Sequence, residues 1–342
     1  MHSITDNLSF VNIFWHFSEE FFAFFGFGCF FLKFVISYVH RIIRKEFLTM
    51  KILAFGEILF DCYPTAKKIG GAPFNFCAHL AKLGADCALY GAVGNDDLGK
   101  EALSFARQYG VDTRYLATHP TLPTGVCRVT YQKGEPCYDL SGFFGYDDIS
   151  LDASVFSETF DVFYFGTLAL RGETSRKTCE NLLKNGNFGI RFFDMNLRQH
   201  YYSEKLLTWG LSACDIVKMN REEYFLIKDI ASVTEAEISL ALQKICRIYH
   251  IKTAILTLDS DGACVWDETD GFFSVPAQTT EFVSAVGAGD SFCACFLYHY
   301  KQGSPLPVCL EKASILAGYV VSFEEAIPHY SDKILTKLTS KL

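Results

Sequence analysis

From position 50 onward, solid apolar runs alternate with longer stretches in which apolar residues recur every three or four positions. The first pattern suits strands buried on both faces, the second amphipathic helices. Strands are predicted at 51–60, 86–93, 161–165, 190–194, 214–219 and 253–258. Helices are expected at 72–83, 97–109, 174–183, directly after Asn220, and at 235–249, 288–298 and 306–321. Two segments alternate apolar and polar residues around turns and predict hairpins: 124–131 with 136–140 about Gln132-Lys133-Gly134-Glu135, and 263–266 with 272–275. Strands alternating with helices predict an α/β fold with a mostly parallel sheet covered on both faces.

Residues 1–49 break the pattern, being dense in Phe and Ile, with a run from Phe21 to Tyr38 interrupted only by Lys33 and followed by Arg41, Arg44 and Lys45. Length and flanking charge fit a membrane anchor with the remainder cytoplasmic. An interfacial helix is a second reading. The preferred reading is a start assigned too far upstream, because Met50-Lys51-Ile52-Leu53 opens straight into a strand and the Phe, Ile and Lys excess is what AT-rich upstream DNA would encode. No small-residue cleavage site marks a signal peptide. The expected division is therefore 1–49 as an extension and 50–342 as one catalytic domain.

The net charge of −8 over 342 residues leaves no basic footprint for nucleic acid. Thirteen cysteines, an odd number with no CxxC pair, argue against a disulfide framework and for a reduced, cytoplasmic setting. Cys293 and Cys295 read as small packing residues.

The chemistry centres on Ser284-Ala285-Val286-Gly287-Ala288-Gly289-Asp290-Ser291-Phe292 before the apolar run 293–298. Glycines at a helix start let free N–H groups converge on an anion, and a carboxylate in the first turn is favoured by the helix dipole. An ionised Asp beside a phosphate cradle makes sense as the base for a hydroxyl attacking phosphorus, although a simple helix cap fits the local sequence as well. Gly70-Gly71-Ala72-Pro73 opens another helix, with Asn75 one turn in, and Glu57 and Asp61 end the first strand, where ligands of α/β proteins bind. Gly94 to Lys100 has Walker A spacing but is followed by Glu101 in place of Ser or Thr, and is rejected as a P-loop. Asn220 and Glu223 share a helical face and could hold a hydrated magnesium, yet the spacing also fits a capping box, which is preferred on local sequence.

Together these stretches resemble the PfkB carbohydrate kinases: Gly70 to Asn75 matches that family's first signature, Gly287 to Asp290 its second, and Asn220-x-x-Glu223 stands between them. The resemblance covers 50 to about 327. It implies a ribokinase-like three-layer α/β/α fold with a small β lid built from 62–69 and 124–140. Segments 56–61, 165–171 and 194–198 are most similar to fructokinases. The resemblance implies that Asp61, Gly71 and Asn75, with Arg171, bind sugar hydroxyls. Asp290 is then the base and Gly287, Ala288 and Gly289 the anion hole. Asn196, Arg198, Thr257 and Gly262 line the ATP site, and Asn220 and Glu223 order magnesium through water. A homodimer joined through the lid and a monovalent cation, potassium, are also implied.

Three positions depart from the family pattern: Ser284-Ala285 in place of Asp-Thr in the cation loop, and Asp259 and Glu325 in place of glycines around the nucleotide. The expected activity is ATP-dependent phosphorylation of fructose to fructose 6-phosphate. The alternative is 2-keto-3-deoxygluconate kinase, with Arg171 or Arg198 facing the acid group. A nucleoside kinase leaves the fructokinase-like stretches unexplained, and a non-catalytic binding or regulatory module would more naturally have lost Asp290 or the glycine loop.

Overall fold

The computed structural model describes residues 50–132, 135–278 and 280–340, so residues 1–49 and the hairpin tip Lys133-Gly134 lie outside the described residues. Nine strands form the main sheet: β1 (Lys51–Phe55), β4 (Asp86–Gly94), β5 (Leu116–His119), β8 (Thr159–Phe165), β9 (Asn187–Asp194), β10 (Ile216–Asn220), β11 (Thr253–Thr257), β12 (Ala263–Asp267) and β13 (Gly271–Val275). Their order across it is β13-β12-β11-β10-β9-β8-β1-β4-β5. All pairings from β11 to β5 are parallel, while β12 and β13 add on in antiparallel sense.

Alternate residues of β1 feed two separate cores, as the two-residue period of a strand requires. Leu53 and Phe55 join one core with α3 (Glu173–Asn185), α4 (Glu204–Ser212), α5 (Arg221–Ile230) and α6 (Ile238–Tyr249). Ile52 and Ala54 join the other with α1 (Ala72–Leu83), α2 (Asp97–Gln108), α7 (Ala288–Lys301), α8 (Leu306–Val320) and α9 (Asp332–Thr339). This is the expected three-layer arrangement. Among the described residues no helix is long and apolar enough to cross a membrane.

The predicted strand at 51–60 is in fact two strands. The chain turns at Gly56, at φ 144°, where any Cβ would stand 2.7 Å from Pro73 Cγ. The second of the two, β2 (Leu59–Cys62), leaves the main sheet and pairs with β3 (Lys67–Gly70) and β6 (Gly125–Gln132). With β7 (Glu135–Asp139) these form a separate four-stranded sheet, the expected lid. β5, α4 and α9 have no counterpart in the expected elements.

The rejected Walker-like segment is structural. Asp96 caps α2 through the Gly99 amide at 2.7 Å and also binds Thr124 at the start of the lid. All twelve described cysteines are free, and Cys293 and Cys295 are buried packing residues.

Candidate active site

The parallel strands β1, β8, β9, β10 and β11 deliver their carboxyl ends to one edge, and the expected site residues gather there. At its centre is the start of α7. Gly287 holds φ 79°, a left-handed conformation that L side chains rarely adopt, and the helix begins at Ala288. The first amides of a helix have no intrahelical carbonyl to bond; here the Ala288 amide leans on Ala285 O at 3.3 Å, and those of Gly287 and Gly289 are left able to meet an anion. Asp290 lies in this first turn, 8% exposed.

Helix α1 meets it from the side. Asn75 Nδ2 donates to Asp290 Oδ2 at 2.8 Å, while Asn75 Oδ1 is buried with no hydrogen-bond partner among the described residues. A buried amide oxygen without a donor is costly, and an acceptor hydroxyl beside Asp290 would satisfy it. Burial, and then the charge of Asp194, lift the Asp290 pKa to about 6, while Asn75, Arg198 and Lys218 oppose the rise. Asp290 is thus a base that ionises just below neutrality, the range that suits proton abstraction.

A second acid shares this edge. Glu57, in the turn after β1, is buried with its pKa pushed up to about 7, chiefly by burial; the amides of Glu57 and Ala72 pull it back. It stands at the start of α1, whose N-cap Gly71 has no side chain to offer. A Cβ on Gly71 would lie 2.6 Å from the Glu57 carbonyl oxygen, so only glycine fits this approach. Asp61, on lid strand β2, has its pKa raised by burial against the opposing pull of Arg198, Cys127 and Lys68.

Beneath the cradle lies a buried cation that sequence reasoning overlooked. Lys218 Nζ sits 3.3 Å from Asp194 Oδ1 and 3.3 Å from where a Cβ on Gly289 would stand. Burial alone would discharge the ammonium, but Asp194 leads the surrounding negative charges that raise its pKa instead. Tyr164 donates to the other oxygen of Asp194 at 2.9 Å, so the carboxylate is held from both sides. The signal was available: a lysine inside the apolar strand Ile216–Asn220 must find a buried partner.

Further along the edge, Asn220 and Thr257 are register partners on β10 and β11. Asn220 caps α5 by accepting from the Glu223 amide at 2.9 Å. Glu223 completes the capping box through the Asn220 amide at 2.7 Å and accepts from Leu197 N at 2.8 Å, tying α5 to the loop of Asn196 and Arg198. With both carboxylate oxygens engaged and Glu223 2% exposed, the pair is not a direct metal cage, and no described cluster of His, Cys, Asp or Glu is one. Any magnesium here would be hydrated and carried largely by nucleotide phosphates. Gly262 adopts φ 98°, ψ −140°, where an added Cβ would stand 2.1 Å from Val275 O, and closes the loop after β11.

Two of the departures from the family pattern lie at this edge, and the first finds an explanation. Asp259 has φ 52°, a conformation in which glycine is easiest and Asp is tolerated. Its charge is answered by Arg221, whose Nε lies 4.0 Å from Asp259 and whose Nη2 lies 2.6 Å from Asp261 and 3.0 Å from Leu258 O. Glu325 is exposed beside Tyr109, whose pKa rises through burial first and the Glu325 charge second.

The two candidate arginines lie in opposite surroundings. Arg171 is spent on structure: Nε and Nη2 clasp Asp147, Nη1 binds Leu140 O at 2.9 Å, and Nη2 also reaches Gly142 O and the Tyr146 hydroxyl. At most one Nη1 proton is left for a ligand. Arg198 is exposed and has no ion-pair partner among the described residues, yet its charge acts on Glu57, Asp61 and Asp290. Between the lid turn at Tyr63 and Lys68 and the loop at Ser284 and Glu324 opens a cavity of about 460 Å³.

The pfkB family carbohydrate kinase profile matches residues 45–333. The 5-dehydro-2-deoxygluconokinase of Geobacillus thermodenitrificans is 26% identical over 270 residues, 75% of this chain and 79% of that protein. Aminoimidazole riboside kinase from Salmonella enterica, solved with aminoimidazole riboside and an ATP analog, superposes with a TM-score of 0.70 at 21% identity, covering 84% of this chain and 100% of that one. A double-mutant fructokinase from Vibrio cholerae, in its fructose-, ADP- and potassium-bound form, gives 0.71 at 20% identity, with 85% and 99% covered. Both solved structures share the mostly parallel sheet and flanking helices described above. With the profile spanning most of the chain, this protein belongs to the pfkB family of carbohydrate kinases and is a phosphotransferase that acts on a sugar hydroxyl.

Proposed function

We propose that the chain transfers the γ-phosphoryl group of ATP to the primary hydroxyl of a six-carbon keto sugar, with fructose, yielding fructose 6-phosphate, as the first acceptor expected. The observation that carries the reading is the pair Asn75–Asp290 at the start of α7. The ionised Asp290 takes the hydroxyl proton, and the unpartnered Asn75 Oδ1 accepts from the same sugar. The amides of Gly287, Ala288 and Gly289 then face the charge that builds on the transferring phosphoryl group, with the Lys218 ammonium behind them. Asp61 and Gly71 line the acceptor side, and Thr257, Gly262 and Asn196 the nucleotide side. Magnesium enters as the companion of ATP, steadied through water by Asn220 and Glu223. Lid closure from β2–β3 and β6–β7 keeps water from competing as acceptor, and pairing of two lids in a homodimer belongs to the same reading.

A second acceptor class is favoured by Arg198, expected first at the ATP site, because its charge acts on Glu57, Asp61 and Asp290 and it has no described ion-pair partner. It suits a keto-deoxy-hexonate carboxylate, of which 2-keto-3-deoxygluconate is one and the 5-dehydro-2-deoxygluconate of the Geobacillus relative another. Nucleotide-coupled ADP release by the full chain, with magnesium and potassium present, separates the two over a panel of fructose, other hexoses and both keto acids. Selective turnover of fructose, unaffected by Arg198→Gln, supports the first reading. Selective turnover of a keto acid whose KM rises at least tenfold in Arg198→Gln replaces it with the second. No turnover of any of these acceptors would refute both readings of the acceptor.

A further inference from the structure

Gly71, the N-cap of helix α1, and Asn75 and His79 within the helix stand four residues apart, roughly one turn each along one face. Gly71 packs against Glu57 and Asn75 grips Asp290; His79, which nothing in the proposed mechanism uses, is fully buried. Its Nε2 lies 3.0 Å from the Ala326 carbonyl oxygen and its Nδ1 lies 2.5 Å from the Tyr330 hydroxyl. A carbonyl only accepts, so Nε2 bears the proton and Nδ1 accepts from Tyr330. Burial lowers the His79 pKa to about 3, so the ring stays neutral in this tautomer at working pH. Ala326 is also the wall against which the cradle turns. A Cβ on Gly287 would lie 2.5 Å from the Ala326 oxygen and 2.8 Å from its Cα, so the left-handed residue of the anion hole rests flush on the residue that His79 holds.

We infer that His79 is a positioning residue for phosphoryl transfer. It fixes Ala326, and through it the amides of Gly287 to Gly289, relative to the Asp290 that Asn75 of the same helix holds. One rigid helix thereby sets acceptor floor, base and anion hole in register. The inference rests on the kinase reading, and its test is chosen to fail separately from it.

His79→Leu keeps the bulk and loses both hydrogen bonds; since displacements near 1 Å can cost about a hundredfold, its kcat is expected to fall about 10- to 100-fold. KM for ATP should rise while KM for the acceptor stays within about twofold, and His79→Gln, which can still donate to Ala326, should recover most of the loss. Tyr330→Phe, which removes only the hydroxyl orienting the ring, should lower kcat about 3- to 10-fold and covers the case in which His79→Leu does not fold. Kinetics within twofold of wild type in a folded His79→Leu, or in Tyr330→Phe, would overturn the inference, as would His79→Gln no better than His79→Leu. Calorimetric binding of ATP and AMP without any acceptor separates the two claims. Weakened ATP binding with unchanged AMP binding in His79→Leu supports the clamp even if no acceptor is found, and equal weakening of both refutes it.

Discussion

Replacing Asp290 by Asn should abolish turnover and stabilise the fold. The folded-state pKa of Asp290 is raised to about 6 from an ordinary 3.8, so the ionised carboxylate is less comfortable in the folded chain than in the unfolded one. The native state therefore binds the proton more tightly, and this group's penalty is absent below about pH 4 and complete above about pH 6. A shift of about two units at 1.36 kcal/mol each makes the penalty about 3 kcal/mol at pH 8, an order-of-magnitude figure. Asp290→Asn removes the charge and keeps an oxygen for Asn75 Nδ2. Its new amide protons would also face Asn75 Oδ1, the buried oxygen that has no donor among the described residues. Denaturant unfolding of wild type and variant at pH 5 and pH 8 should therefore show the variant more stable by about 1–3 kcal/mol at pH 8, with the advantage shrinking at pH 5. Its kcat should drop by about 10²- to 10⁴-fold, while wild-type kcat/KM should fall about tenfold per unit below pH 6. A variant less stable than wild type at pH 8, or one with a tenth of the activity, would refute the assignment of Asp290 as a strained catalytic base.

Gly287→Ala forces a Cβ to within 2.5 Å of Ala326 O at a φ of 79°, so it should cost about 1–3 kcal/mol in thermal unfolding and depress kcat more than KM. Lys218→Met leaves Asp194 buried without its ammonium and should destabilise by about 3–5 kcal/mol; Lys218→Met with Asp194→Asn should recover much of that in the same unfolding assay. Arg221→Ala strips the cation facing Asp259 and Asp261 and should raise KM for ATP about threefold or more, most at low salt, with acceptor KM unchanged in steady-state kinetics.

The hydrophobic pattern was enough to predict the layered α/β architecture, because strand and helix periods depend on local spacing and buried parallel strands read as solid apolar runs. It was also enough to mark the two glycine-bearing helix starts and Asp290, since a left-handed turn before a helix restricts residue type whatever surrounds it. Where a run changed partner with little change in composition, the pattern was blind: 51–60 is mostly apolar throughout, yet Gly56 sends its second half into the lid, a choice made by Pro73 and the lid strands from elsewhere in the chain. The roles of charged residues were decided only in three dimensions. Arg171 and Arg198 look equivalent as lone arginines after strands, and burial against Asp147, 24 residues away, ties one down while the other stays exposed with no described ion-pair partner. The surroundings of Lys218, Glu57 and His79 come from contacts with Asp194, the start of α1 and Ala326. Energies of buried polar groups depend on which partner lies within about 3 Å, and that distance is set by how distant segments pack, not by what stands next to them in sequence.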